Sequence, residues 1–300
     1  MIYLITGSNG LLGQKILKKL IDDNSDVIAT SKGPNRNKKN DSYIYESLDI
    51  TDEKEVFRVL NYYKPHIVFN TAAITNVDLC EDEKNLCDNL NVHAVNYLAD
   101  SCLTIDAHLI HISTDFIFDG NDAPYSEDDL PNPLSYYGES KLKSEKLLIA
   151  HSCKSSILRT IVLFGVANNL TKNNIVLWAK EQLENNNKIN IIDDEYRAPT
   201  LAEDLAEACI FAANNNSFGV FHVSGKDFMS IYDLVVNIAN FFKFDVNLVN
   251  RINSKALNQK AKRPHKTGFV LDKAKNILNF TPHSFIESLE IIDKQLNIKT

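Results

Sequence analysis

The stretch TGSNGLLG, Thr6 to Gly13, decides how the rest of the chain is read. It follows a short apolar run, Met1 to Ile5, and leads into LLGQKILKKLI, where Leu12, Ile16, Leu17 and Leu20 recur at helical spacing. Gly7, Gly10 and Gly13 therefore sit where a strand hands over to a helix. Glycines alone at such a corner signal only a tight turn. At a helix start, however, backbone N–H groups and the positive end of the helix dipole hold a phosphate well. Strand, glycine turn and helix together predict a nucleotide-binding unit, at a spacing looser than GxGxxG.

The pattern continues outward from that turn. Strand runs at DVIATS, YIYESLDI, HIVFNTAA, HLIHISTDFIF and SSILRTIVLFG alternate with helical stretches. One helix opens at the Asp52/Glu55 capping pair, a long one runs from Asp82 to Cys102, and another from about Tyr136 to His151. Such alternation predicts right-handed βαβ units and a doubly wound parallel sheet of the Rossmann kind, covered on both faces. Past Gly165 the rhythm loosens. We place a boundary there: residues 1–165 form the nucleotide-binding domain, and 166–300 mainly a smaller C-terminal substrate-binding lobe. The chain is expected to return to the first domain around residues 198–225.

With 300 residues, 44% apolar and 24% charged, the chain has the composition of a folded globular protein with a large core. A net charge of −7 argues against a nucleic-acid partner but leaves room for a small anionic ligand. Apolar runs are too short for a membrane helix and no leader pattern opens the chain, so a cytoplasmic location is expected. The cysteines, Cys80, Cys87, Cys102, Cys153 and Cys209, are odd in number and lack a CxxC pair, so free thiols are expected. No HxxxH or HExxH pair suggests a metal, and His111 in LIHIS reads as a core residue.

Chemistry enters with SYYGESKLKSEKLL. Tyr137 and Lys141 lie four apart on one helix face, where an ammonium favours the phenolate and makes tyrosine a usable acid or base. Tyr136 is turned away by its spacing of five. Upstream, HISTDFIFDG closes a core strand with Ser113, Thr114 and Asp115, at the carboxyl edge where open α/β sheets bind ligands. A hydroxyl there suits a carbonyl oxygen whose charge grows during reduction.

Taken together, TGSNGLLG, LDITD, NTAAITNVDLCE, STDFIFDG, PYSEDDLPNPLSYYGESKLKSE, LRTIVLFG, APTLAEDLA and KRPHKTGFVLD resemble, in order, the extended short-chain dehydrogenase/reductases, and within them the dTDP-4-dehydrorhamnose reductase family. The resemblance implies that Gly7, Ser8, Asn9, Gly10, Leu11 and Gly13 hold a dinucleotide's pyrophosphate. It places Ser31, Lys32, Asp49 and Ile50 by the adenosine, and Ala72 and Ala73 along the cofactor cleft. Thr114, Tyr137 and Lys141 would be the catalytic set, the last two also touching the cofactor. Thr75, Asp115, Phe116, Val162, Arg197 and Arg263 would meet a sugar nucleotide, the arginines at its diphosphate with Lys262 nearby. The expected reaction is NADPH-dependent reduction of the C4 ketone of a nucleotide-linked 6-deoxyhexose, dTDP-4-dehydro-L-rhamnose above all, in polysaccharide precursor synthesis. Homodimerisation stays open.

Cofactor choice is argued locally. NAD enzymes carry an acid about twenty residues beyond the glycines. Here ATSKGPNRNKK, Ala29 to Lys39, offers Ser31, Lys32 and Arg36 instead, so NADPH is expected with NADH tolerated. Two departures bear on the sugar: Val162 stands where the reductases often have tryptophan, and Arg197 where they usually have a small residue. Phe116 stands where the related 4,6-dehydratases have their proton-abstracting glutamate, which disfavours elimination. An epimerase shares the threonine, tyrosine and lysine. A non-catalytic alternative is an NADP-binding regulatory subunit like the methionine adenosyltransferase beta subunit, because fold does not fix function.

Overall fold

The computed structural model describes residues 1–37, 42–170 and 173–297. Strands β1 (Ile2–Thr6), β2 (Asp26–Ser31), β3 (Ile44–Ser47), β4 (Ile67–Asn70), β5 (His108–Thr114) and β6 (Ser155–Thr160) come first. Interleaved with them are helices α1 (Leu11–Asp22), α2 (Glu53–Tyr63), α3 (Val77–Asp82), α4 (Lys84–Asp88), α5 (Ala94–Thr104) and α6 (Tyr136–Ala150). Then follow β7 (Leu163–Phe164), α7 (Ile175–Glu184), β8 (Ile189–Ile192), β9 (Tyr196–Arg197), β10 (Thr200–Leu201), α8 (Ala202–Asn214) and β11 (Gly219–His222). The remainder is β12 (Met229–Ser230), α9 (Ile231–Phe242), β13 (Val249–Ile252), β14 (Lys266–Thr267), α10 (Asp272–Leu278) and α11 (Phe285–Asn297).

Seven strands form one parallel sheet in the order β11-β6-β5-β4-β1-β2-β3. Strand alternation splits its side chains between two cores. Tyr3, Ile5 and Phe69 pack with Ile16 and Leu20 of α1 and Leu205 and Cys209 of α8 on one face. Leu4, Val68 and Leu109 pack with Val56 and Leu60 of α2 and Leu98 of α5 on the other. The order reverses between β1 and β4, and the crevice outside their carboxyl ends is where such sheets bind ligands.

The smaller lobe has its own core, in which Phe164, Val176 and Leu183 meet Ile189, Leu234, Ile238, Phe285 and Leu289. Its strands pair as β8 with β13 and as β12-β9-β14. Between β10 and β12 the chain crosses back, so that α8 covers the large sheet and β11 extends it beside β6. All five cysteines are free and buried.

One element departs from its sequence reading. The helix expected over Asp82–Cys102 is α4, a π turn at Asn89–His93 and then α5. Within that turn the buried Asn91 accepts from Ile74 N at 3.0 Å and donates to Ile74 O at 3.1 Å. Those bonds satisfy the backbone where the chain leaves β4, a gain that periodicity does not register.

Candidate active site

Close contact within the glycine turn explains its composition. Gly7 has φ +68°, and a Cβ there would lie 2.8 Å from Ala72 N. A Cβ on Gly13 would lie 2.4 Å from Gly7 O, so the third glycine lets α1 approach the turn. No side chain caps α1 at Gly10, and its first turn carries no acid. The buried Ser8 Oγ has no hydrogen-bond partner among the described residues. A turn with an uncapped helix start and an orphaned hydroxyl fits a dinucleotide's pyrophosphate.

The segment after β2 folds onto this turn. Asn9 N donates to Ser31 Oγ at 3.1 Å, Asn9 Nδ2 to Pro34 O at 3.0 Å, and Arg36 N to Asn9 Oδ1 at 2.9 Å. From the end of β2 to Asn37, where the described residues break off, the chain has no carboxylate. Lys32 instead reaches Asp49 at 2.6 Å, and that contact helps hold the Asp49 carboxyl below its ordinary value against the effect of burial. Lys38 and Lys39 lie outside the described residues. Ile50 is buried, Ala72 and Ala73 are half-buried at the end of β4, and Thr75 is exposed.

At the far side of the crevice, α6 starts at Ser135, whose hydroxyl accepts from Gly138 N at 3.3 Å. A Cβ on Gly138 would lie 2.2 Å from Phe116 O, so this glycine lets the helix dock on the turn that follows β5. That docking brings Tyr137 beside Thr114, with the Phe116 ring edge-on to the phenol at 5.8 Å. Burial raises the Tyr137 phenol well above 10, the nearby Asp115 adds to this, and a hydrogen bond with Thr114 opposes it. The expectation that Lys141 would pull the phenol down is not what dominates here. Lys141 is itself 2% exposed and is pulled down to about 8 by burial, with the Glu145 charge acting the other way.

Lys141 Nζ lies 3.2 Å from His111 Nε2. That imidazole also meets Asn70 at 3.1 Å and Ser144 at 3.2 Å, and burial holds it neutral, far below its usual value. His111 is thus a core residue that touches the site. Tyr136 points elsewhere, its hydroxyl donating to Asp88 at 2.6 Å.

The residues expected at the sugar nucleotide are placed less uniformly. Asp115 is 2% exposed and already bonded within the protein, to Thr114 and Thr267. Arg197, expected at a diphosphate, is also 2% exposed. Its guanidinium donates to Glu195 at 2.9 Å, Pro264 O at 2.7 Å, Tyr196 O at 2.8 Å and His265 O at 3.2 Å. Four of its five N–H groups are thus bonded inside the protein, and the fifth, on Nε, lies 3.7 Å from Asp115 Oδ2. Arg263 pairs with Asp78 at 2.7 Å and is 16% exposed, while Lys262 is exposed. Phe116 and Val162 are half-buried, and Val162 has φ +39°, a strained value for a β-branched residue. Sequence reading missed Gly138, Glu195 and Thr267; only the Gly138 position, one residue past the tyrosine, carried a local signal.

The sequence model of the RmlD substrate binding domain matches residues 1–297. A dTDP-4-dehydrorhamnose reductase of Aggregatibacter actinomycetemcomitans is 32% identical over 302 residues, covering 96% of this chain and 97% of that protein. The methionine adenosyltransferase 2 subunit beta of Bos taurus is 31% identical over 244 residues, covering 80% of this chain and 71% of that one. Among solved structures, a dTDP-4-dehydrorhamnose reductase of Bacillus anthracis in complex with NADP superposes with a TM-score of 0.87 at 26% identity, covering 98% and 99% of the two chains. These likenesses, with the glycine turn and the Thr114, Tyr137 and Lys141 cluster, place the chain in the RmlD, or dTDP-4-dehydrorhamnose reductase, family of NAD(P)H-dependent oxidoreductases.

Proposed function

We propose that this oxidoreductase reduces the C4 ketone of a nucleotide-linked 6-deoxyhexose, dTDP-4-dehydro-L-rhamnose, and prefers NADPH to NADH. The observation that carries the reading is the buried cluster that Thr114, at the end of β5, forms with Tyr137 and Lys141 of α6, together with the glycine turn at the end of β1 of the same sheet. NADPH, when bound, supplies a hydride to the ketone carbon. The phenol of Tyr137, kept protonated by burial, gives its proton to the ketone oxygen. Thr114 flanks that oxygen and fixes the direction of the phenol O–H. Lys141, held against His111, would donate to the ribose hydroxyls of the bound cofactor. Backbone amides of the glycine turn and the Ser8 hydroxyl would hold the pyrophosphate. Ser31, with Lys32 and Arg36 close by and no carboxylate from there to Asn37, suits a 2′-phosphate. Arg263, partly exposed beside Asp78, is the basic residue best placed for the substrate's diphosphate.

The test is NADPH oxidation by the purified protein given dTDP-4-dehydro-L-rhamnose, with Tyr137→Phe and an NADH control. Turnover lost in the variant supports the reading. Full turnover in Tyr137→Phe refutes the mechanism. No turnover despite tight NADPH binding moves the substrate to another sugar nucleotide, or the role to a regulatory one like that of the beta subunits.

A further inference from the structure

A buried ammonium needs acceptors, and Lys141 is 2% exposed yet forms no ion pair among the described residues. Glu145, one turn further along α6, is instead held by Arg159 at 2.7 Å. The hydrogen-bond neighbour of the Lys141 nitrogen is His111 Nε2, at 3.2 Å. What Lys141 gains from that contact depends on whether the ring nitrogen carries a proton.

Ser144 decides this. Its hydroxyl donates its single proton to Lys141 O at 2.7 Å, a carbonyl that can only accept. Toward His111 Nε2, 3.2 Å away, Ser144 Oγ then has lone pairs alone, so that ring nitrogen is N–H. On the other edge of the ring, Asn70 Nδ2 donates to Nδ1 at 3.1 Å, while Asn70 Oδ1 accepts from the Thr6 hydroxyl at 2.7 Å. Both neighbours select one tautomer of an imidazole that burial keeps neutral. A neutral amine can accept from the His111 N–H; an ammonium cannot. We propose that His111 is a positioning residue that offers Lys141 a donor and denies it an acceptor, so that binding of the dinucleotide, whose ribose hydroxyls can accept, draws a proton from solvent onto Lys141. The inference rests on Lys141 meeting the cofactor ribose.

The other titratable groups around the amine are few. Its own helix contributes Tyr137 one turn back and Glu145 one turn ahead, and α4 contributes the Cys87 thiol. Behind Glu145 stand Arg159 of β6 and, 3.1 Å from that guanidinium, His222 of β11. Glu145 and Cys87 favour the ammonium, but burial outweighs them and holds the amine at about 8. None of these groups hydrogen-bonds the Lys141 nitrogen among the described residues, which leaves His111 as its one polar contact there.

Isothermal titration calorimetry of NADPH binding, run in two buffers of different ionisation enthalpy, counts the protons taken up. Wild type should take up about 0.5 proton per site at pH 8 and about 0.9 at pH 9. Both values lie well above a phosphate's second pKa of about 6, so the ligand brings no titration of its own. The Kd for NADPH should accordingly rise about fivefold from pH 8 to pH 9. Lys141→Met should take up none. His111→Gln sets a carbonyl against the ammonium and an amide N–H against Ser144, and uptake at pH 9 should fall to less than about half of wild type. Ser144→Ala frees the ring to exchange tautomers and should act the same way; as the smaller change, it supplies the measurement if His111→Gln fails to fold. No uptake by wild type at pH 9, undiminished uptake in the His111 and Ser144 variants, or uptake surviving in Lys141→Met overturns the proposal. Because the calorimetry uses no sugar nucleotide, its failure is separate from failure of the reductase reading, which the turnover assay with Tyr137→Phe decides.

Discussion

Replacing Lys141 by methionine should make the ligand-free protein more stable while ending its activity. Burial holds the Lys141 ammonium down from 10.5 to about 8. At 1.36 kcal/mol per pH unit, keeping that amine charged costs the fold about 3 kcal/mol. The sign follows from proton counting: the folded pKa lies below the unfolded one, so the folded state binds fewer protons between pH 8 and 10.5. The penalty is therefore present in full below about pH 8 and fades as pH rises to 10.5. Methionine is unbranched, similar in length and apolar, so it can occupy the same space against His111 without a charge. Urea unfolding without ligand, at pH 7 and pH 10, measures the difference. We expect Lys141→Met to gain about 3 kcal/mol at pH 7 and to lose most of that gain at pH 10, with no turnover at either. A variant less stable than wild type at pH 7, or a gain independent of pH, would show that burial is not what strains this lysine.

Tyr137→Phe should lower kcat/KM by about 10²–10⁴-fold, far more than it weakens NADPH binding read by fluorescence titration. In Gly13→Ala the new Cβ meets Gly7 O at 2.4 Å, where backbone and not a flexible side chain must yield. We expect about 1–3 kcal/mol of destabilisation and a loss of the thermal shift that NADPH gives to wild type; a variant retaining that shift would refute the tight-turn account. Ser31→Asp puts a carboxylate at the end of β2 and should turn the ratio of kcat/KM toward NADH, and an unchanged ratio would remove the basis for the NADPH preference. Glu145→Ala leaves the buried Arg159, now 2.7 Å from Glu145, without its partner; urea unfolding should show a loss of about 3–5 kcal/mol.

The parallel sheet was legible because β1, β4, β5 and β6 are short apolar runs separated by helices, and those signals are local. Asn91 was not legible, since its value lies in bonds to Ile74 across a widened turn. The candidate catalytic residues could be named from spacing, Tyr137 and Lys141 being one helical turn apart and Thr114 closing a strand. Their electrostatics could not. Sequence reasoning has Lys141 acting on Tyr137, whereas burial governs both groups and Asp115 contributes to the phenol. The partners of Asp115, Arg197 and Thr267, stand in other strands, about 80 and 150 residues along the chain from it. The sequence places Arg197 at a substrate diphosphate, and nothing local announces that Glu195 and the carbonyls of Pro264 and His265 enclose it.

The position of β11 has a consequence for how the chain is made. β6 ends at Thr160 and the strand that pairs with its open edge begins at Gly219, with α8, a cover for one face of the sheet, between them. A ribosome adding roughly 5–20 residues per second needs about 3–12 s to cross that interval. For that time the nascent chain carries an unpaired parallel edge, and until α8 is made only α1 covers that face of the sheet, the features that invite mispairing. Pauses in translation placed before codon 219 would lengthen this exposure, and pauses after codon 222 would give the sheet time to close.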